Sequence, residues 1–182
     1  MQQLMKVSLK NGARVVNTTA FGRAIAQLGR SHEAFELLNK YDFPFGFQDG
    51  GCLMFALALK TYLEEHHSHE LMKVELHAIT ELDEESDSMI HHHVVVTAHH
   101  AQLGYLCFDS DGMGTVAEQI IKFELIESPT GQDCAMTSEA IHVDSPVISS
   151  IARNAKLEAE LLALMRSSFS VFESISDPQL AS

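Results

Sequence analysis

The chain lacks what several classes of protein need. Tryptophan is absent, and cysteine (three) and proline (four) are scarce among 182 residues. Cys52, Cys107 and Cys134 cannot all pair, and none is spaced as CxxC. That excludes a disulfide framework and a zinc ribbon and fits a reducing compartment. Basic residues number 12 against 25 acidic ones, a formal charge of -13, so the surface repels phosphate backbones and disfavours nucleic-acid binding. No apolar run reaches the roughly 20 residues that span a bilayer. The start, Met1-Gln2-Gln3-Leu4-Met5-Lys6, lacks the charged and apolar regions of a signal peptide. The expectation is a cytoplasmic protein with no membrane or nucleic-acid partner and no cofactor, its methionines serving as packing.

What is present is a normal globular composition. Hydrophobic residues make up 46% of the chain, enough to bury a core. With no internal repeat and no low-complexity linker, residues 1–182 read as one domain, with a core over 41–126 and a C-terminal helix over about 146–167. Along the chain the patterns predict a strand at 5–10, a helix over Thr18–Leu28 broken by Gly29, and a Ser31-capped helix to Asn39. A loop over Tyr41–Gly51, rich in aromatics, either lines a pocket or anchors in the core. Strands follow at Met72–Thr80, His92–Ala98 and Tyr105–Asp109, with an acidic loop at Glu81–Ser88. Asp111-Gly112-Met113-Gly114 reads as a turn and Thr115–Ile121 as a short helix. Phe123–Ile126 and Glu139–Val143 read as edge strands, and Asp144-Ser145-Pro146 as a helix start.

The strongest signal is Asp49-Gly50-Gly51-Cys52 running into the apolar series Leu53-Met54-Phe55-Ala56-Leu57-Ala58-Leu59. It places a thiol at the N-terminus of a buried helix, where unpaired N–H groups and the helix dipole favour the thiolate, the nucleophilic form. His93 heads the run Val94-Val95-Val96, and Asp109 ends Tyr105-Leu106-Cys107-Phe108. A nucleophile, a base and a group that orients the base are the parts of a thiol hydrolase. Cys52 fits the first role, His93 the second and Asp109 the third. The Cys52 N–H and the Gln48 side chain are candidates to stabilise an oxyanion.

Alternatives stand beside these assignments. His91 and His92 compete with His93; along a regular strand His91 and His93 share a face and His92 takes the other. Asp111 competes with Asp109. Cys107 reads as a small buried hydrophobe, and Cys134 sits in a polar loop. His66, His67 and His69 read as a solvated helix end, and His99 and His100 as exposed at a hairpin. A metal reading of His91-His92-His93 fails on geometry, because three successive strand residues do not converge on one ion.

On Gly50-Gly51-Cys52 with its helix, His93-Val94-Val95-Val96, and Phe108-Asp109-Ser110-Asp111-Gly112, the chain resembles the papain-like cysteine peptidase superfamily, in particular small bacterial and phage proteins with this series of motifs. The resemblance covers roughly residues 43–115. It implies an α+β fold in which a nucleophile helix packs on an antiparallel sheet carrying the histidine and the aspartate. It also implies Cys52 as nucleophile, His93 as general base and acid, Asp109 as orienting group, and a peptide or amide as substrate. The same triad serves peptidases, amidases, deamidases and transglutaminases. Three functions are therefore open: a thiol hydrolase acting through an acyl-enzyme, a non-catalytic binding or structural module on the same fold, and a transglutaminase-like acyltransferase.

Overall fold

The structure is a computed structural model, and it describes residues 19–43, 46–47, 50–83, 88–127, 136–144, 153–172 and 174–176. The strand expected at 5–10, the helix start at Ser145 and Pro146, and the residues Gln48, Asp49 and Cys134 lie outside these.

Among the described residues the fold is α+β, with five helices and a five-stranded antiparallel sheet. The helices are α1 (Ala20–Gly29), α2 (His32–Lys40), α3 (Cys52–His66), α4 (Val116–Glu127) and α5 (Ala155–Phe169). The strands are β1 (Leu71–Asp83), β2 (Ser88–His100), β3 (Gly104–Asp109), β4 (Gly112–Gly114) and β5 (Met136–Ile141), in the order β4-β3-β2-β1-β5. No helix is long and apolar enough to cross a membrane among the residues described.

Local chemistry explains the helix starts. The Thr19 hydroxyl accepts from Gly22 N at 3.0 Å and Ser31 from Ala34 N at 3.1 Å, each satisfying an otherwise orphaned amide. Asn154 Oδ1 accepts from Lys156 N and Leu157 N, so α5 begins at Ala155 and runs to Phe169. It buries Leu157, Leu161, Met165 and Phe169, one residue per turn. Over Cys52–Leu59 α3 is buried on every side, as its uninterrupted apolar sequence there requires, while Glu64 to His66 at its end are exposed.

The sheet lies between two unequal layers. On one face Leu76, Ala78, Val94, Val96, Ala98, Leu106 and Phe108 join a core shared with α1, α3 and α5. On the other face Ile79, Val95 and Cys107 pack with Phe123 of α4 and with Met136. Cys107 is fully buried, in line with its reading as a small hydrophobe.

Several expectations need correction. Gly29 ends α1 from within it rather than breaking it. Phe123–Ile126 is not an edge strand; it continues α4, because Gln119, Lys122 and Phe123 recur at helical spacing and are all buried. Gly112–Gly114 is a short strand paired with β3, not a turn. β1 extends to Asp83 and β2 starts at Ser88, so Glu81–Asp83 and Ser88 of the expected acidic loop are strand; residues 84–87 lie outside the described residues. His67 and His100 are buried, at 1% and 3% exposure, rather than solvated. Both face Glu70: His67 Nδ1 lies 2.7 Å from Oε1 and His100 Nε2 3.4 Å from Oε2. The aromatic loop is anchored, with Phe47 against Phe55 at 4.7 Å between centroids and the Tyr41 hydroxyl donating to Glu160.

Candidate active site

Cys52 opens α3 with no side-chain cap before it. The glycines are needed to bring it in. Gly50 has φ +91°, in the region that favours glycine, and a Cβ on Gly51 would lie 2.8 Å from Gly46 O and 2.9 Å from a Leu38 methyl. The loop closes on itself there, with Gly51 N donating to Gly46 O, and the cysteine emerges at the start of a helix fixed on all sides.

The histidine is selected by a bulge. The β1–β2 register runs from Ile79↔His93 to Thr80↔His91, so His92 is the extra residue. Partners across a ladder share a face, and Ile79 and Thr80 do not. The bulge therefore puts His91 and His93 on opposite faces, where regular alternation had put them together. Three consecutive histidines then meet three different carboxylates: His91 with Glu139 at 3.4 Å, His92 with Glu81 at 3.0 Å and His93 with Asp109 at 3.4 Å. Among the described residues no group of three or more histidine, cysteine or acidic side chains is arranged to hold a metal ion.

β3 pairs with β2 only from Val96↔Phe108 onward, and the chain turns away after Asp109. That leaves His93 to Val95 without a β3 neighbour, and Cys52, from the α3 layer, meets β2 at this gap. Asp109, not Asp111, faces the ring: its Oδ2 lies 3.4 Å from His93 Nε2. Neither nitrogen of His93 makes an aligned hydrogen bond among the described residues. The ring stacks on Phe123 at 4.5 Å between centroids.

Electrostatics bind these groups into a unit. Burial alone pushes the Cys52 thiol up; the adjacent His93 imidazole and the N–H groups of Val94 and Leu53 overcome it and leave the thiol below its ordinary value. Burial pushes His93 down, but Asp109 and Cys52 together raise it to about 9. Burial pushes Asp109 up, and His93 with Lys122 brings it down to about 2. Cys107, with no such partner, is driven well above the usual thiol range by burial. One buried cysteine thus favours the thiolate and the other does not.

Two residues escaped sequence reasoning. Lys122 is 5% exposed and bonds Asp109 Oδ2 at 3.0 Å and Asp111 Oδ2 at 2.6 Å. Gln119, one turn earlier on α4, is fully buried, and neither atom of its amide has a partner among the described residues. The signal for both is a polar side chain at the i−4 or i−1 position to Phe123 on a helix that must bury one face, visible only once 123–126 is read as helix.

A close approach fixes the turn after Asp109. A Cβ on Gly29 would lie 2.1 Å from Ser110 O, so the end of α1 rests directly on this turn. Arg30 then reaches Asp111 Oδ1 at 3.1 Å, and Asp111 N donates to Asp109 Oδ1 at 2.8 Å. Two described cavities lie away from the triad. One of 430 Å³ is lined by Glu70, Met72, His100 and Ser174, and one of 340 Å³ by Gln27, Ser31 and Leu164 among others.

Comparison of the chain with protein-family models, with curated proteins and with solved structures found no match.

Proposed function

We propose that the chain is a thiol hydrolase of papain-like arrangement, cleaving an amide bond through an acyl-enzyme. The observation that carries this reading is the buried line Cys52–His93–Asp109, with the thiol lowered and the imidazole raised toward a thiolate–imidazolium pair. In the mechanism this supports, the Cys52 sulfur attacks the carbonyl carbon, and the oxyanion forms near the N–H of Cys52 at the uncapped start of α3. The imidazolium of His93 gives its proton to the amine as the C–N bond breaks, leaving a thioester on Cys52. Water then attacks the thioester, its proton passes to His93, and the acid leaves as the thiolate–imidazolium pair is restored. Asp109 holds the imidazole in orientation throughout. The loose 3.4 Å spacing between His93 and Asp109 fits a site that tightens around its substrate.

Alkylation by iodoacetamide with mass-spectrometric mapping tests this. Cys52 is expected to label faster than Cys107 at neutral pH, and His93→Gln to slow Cys52 selectively. Equal, slow labelling of both cysteines contradicts the reading.

A second reading, a non-catalytic module on the same fold, is favoured by one observation. Cys52 is only 9% exposed and His93 2%. In that reading the cluster is a buried ionic tie. It calls for a Cys52 that stays unlabelled in the native protein and reacts only on unfolding.

A further inference from the structure

Lys122 lies on the face of α4 that packs against the sheet beside Phe123, where a helix normally places apolar residues. A buried ammonium persists only when it is paired. Its partners form a chain: Nζ to Asp109 Oδ2 at 3.0 Å, Nζ to Asp111 Oδ2 at 2.6 Å, and Asp111 Oδ1 to Arg30 at 3.1 Å. The oxygen Lys122 takes from Asp109 is the one that faces His93. Oδ2 has the ammonium at 3.0 Å in a formed hydrogen bond and His93 Nε2 at 3.4 Å without one, while Oδ1 is occupied by Asp111 N. Two cationic groups converge on one oxygen, and the ammonium holds it better. Both also lie on the Phe123 ring, the imidazole stacked at 4.5 Å and Nζ 5.2 Å from its centroid.

We propose that Lys122 is a positioning residue of the triad: by holding the carboxylate oxygen that faces His93, it limits how strongly Asp109 draws a proton onto the imidazole. The inference rests on the thiolate–imidazolium reading of the site. Its consequence is chemical. An imidazolium paired with an undivided carboxylate is a poor acid toward a leaving amine, whereas one sharing that carboxylate with an ammonium gives up its proton more readily. Cys52 from α3 and Asp109 from β3 act on the ring directly; Lys122 from α4 acts through Asp109, and Asp111 with Arg30 stands behind Lys122 at the turn. Cys107 of β3 and Glu118 of α4 stand next in line; the thiol is neutral, and the Glu118 carboxylate is bonded to Thr115.

The test follows the His93 ring by NMR in histidine-labelled full-length protein, with its signal assigned by loss in His93→Gln. Thiolate absorbance is recorded on the same samples. Lys122→Met is expected to raise the His93 midpoint by about one pH unit, the usual effect of a neighbouring charge, and Lys122→Arg to leave it near the wild-type value. Asp111→Asn, a change at a quarter-exposed carboxylate, leaves Asp109 as the charged partner of Lys122 and is expected to lower the midpoint. An unmoved midpoint in both Lys122→Met and Asp111→Asn overturns the inference, as does a fall in Lys122→Met. If Lys122→Met does not fold, the Asp111→Asn result decides. A wild-type protein with no thiolate and an ordinary His93 midpoint instead overturns the functional reading beneath it.

Discussion

Two of the buried histidines that sit beside a carboxylate, His67 and His93, behave in opposite ways. His67 meets Glu70 at 2.7 Å, and His93 meets Asp109 at 3.4 Å. Yet burial wins at His67, which is held below the ordinary imidazole value despite the closer partner, while His93 is raised to about 9. Distance to the carboxylate is therefore not what decides. Glu70 is spread over several donors: it accepts from Ser174 Oγ at 2.7 Å and Ile175 N at 2.9 Å and also faces His100. His67, moreover, faces no second anion among the described residues and is packed among the rings of Phe21 and Tyr62. His93 has two acidic groups on one ring, Asp109 and Cys52. The first cluster ties residues 174–176 to the end of α3; the second is arranged to carry charge.

Opposite pH signs follow from this contrast. A histidine whose folded value is raised contributes stability that is complete below its unfolded value, about 6.5, and that is lost as pH rises through about 9. A histidine whose folded value is lowered, like His67, costs stability as pH falls below about 6.5, because the unfolded chain then binds the proton more readily. Asp109, lowered to about 2, contributes above its unfolded range and loses that contribution only as pH falls toward 2.

The largest effect should come from Asp109→Asn. It removes the anion shared by His93 and Lys122 and leaves a buried ammonium with Asp111 alone. A loss of roughly 3 kcal/mol in denaturant unfolding is expected, with a fall in the Cys52 alkylation rate. Next, Glu70→Gln should cost about 2 kcal/mol by weakening the bonds to residues 174–176, yet leave Cys52 reactivity unchanged. A drop in Cys52 reactivity in that variant would mean the two clusters are coupled. His93→Gln should abolish the alkaline loss of stability while leaving the acid loss in place, read by thermal melts across pH. The smallest effect is a gain. Gln119→Leu removes a buried amide without partners among the described residues and should stabilise by about 1 kcal/mol.

The regular elements were legible in the sequence because each carries its own signal. The cap at Ser31, the apolar α3 and the alternation of β1 to β3 are local patterns that the tertiary structure keeps. Cys52 and Asp109 were legible because one opens α3 and the other ends β3; His93 was legible because it heads the valine run, although it lies within β2 and not at its end. What misled was nonlocal. The bulge at His92 depends on pairing with β1, so no reading of β2 alone reveals that His91 and His93 part company. The helical state of 123–126 depends on α4 covering a sheet face. The burial of His67 and His100 depends on Glu70 and on residues a hundred positions later. Lys122 stayed invisible because it fell between the helix expected at 115–121 and the strand expected at 123–126, and its carboxylate partners lie at the end of β3 and in the turn after it.

The central claim is that Cys52 is ionised in the folded protein through His93. The most direct measurement is the thiolate absorbance of the wild-type protein against Cys52→Ser as a function of pH, repeated in the His93→Gln background. The account requires a thiolate in the wild type below the ordinary thiol range, its onset moving to higher pH when His93 is replaced. Absorbance that appears only at or above the ordinary thiol value, with or without His93, would contradict it.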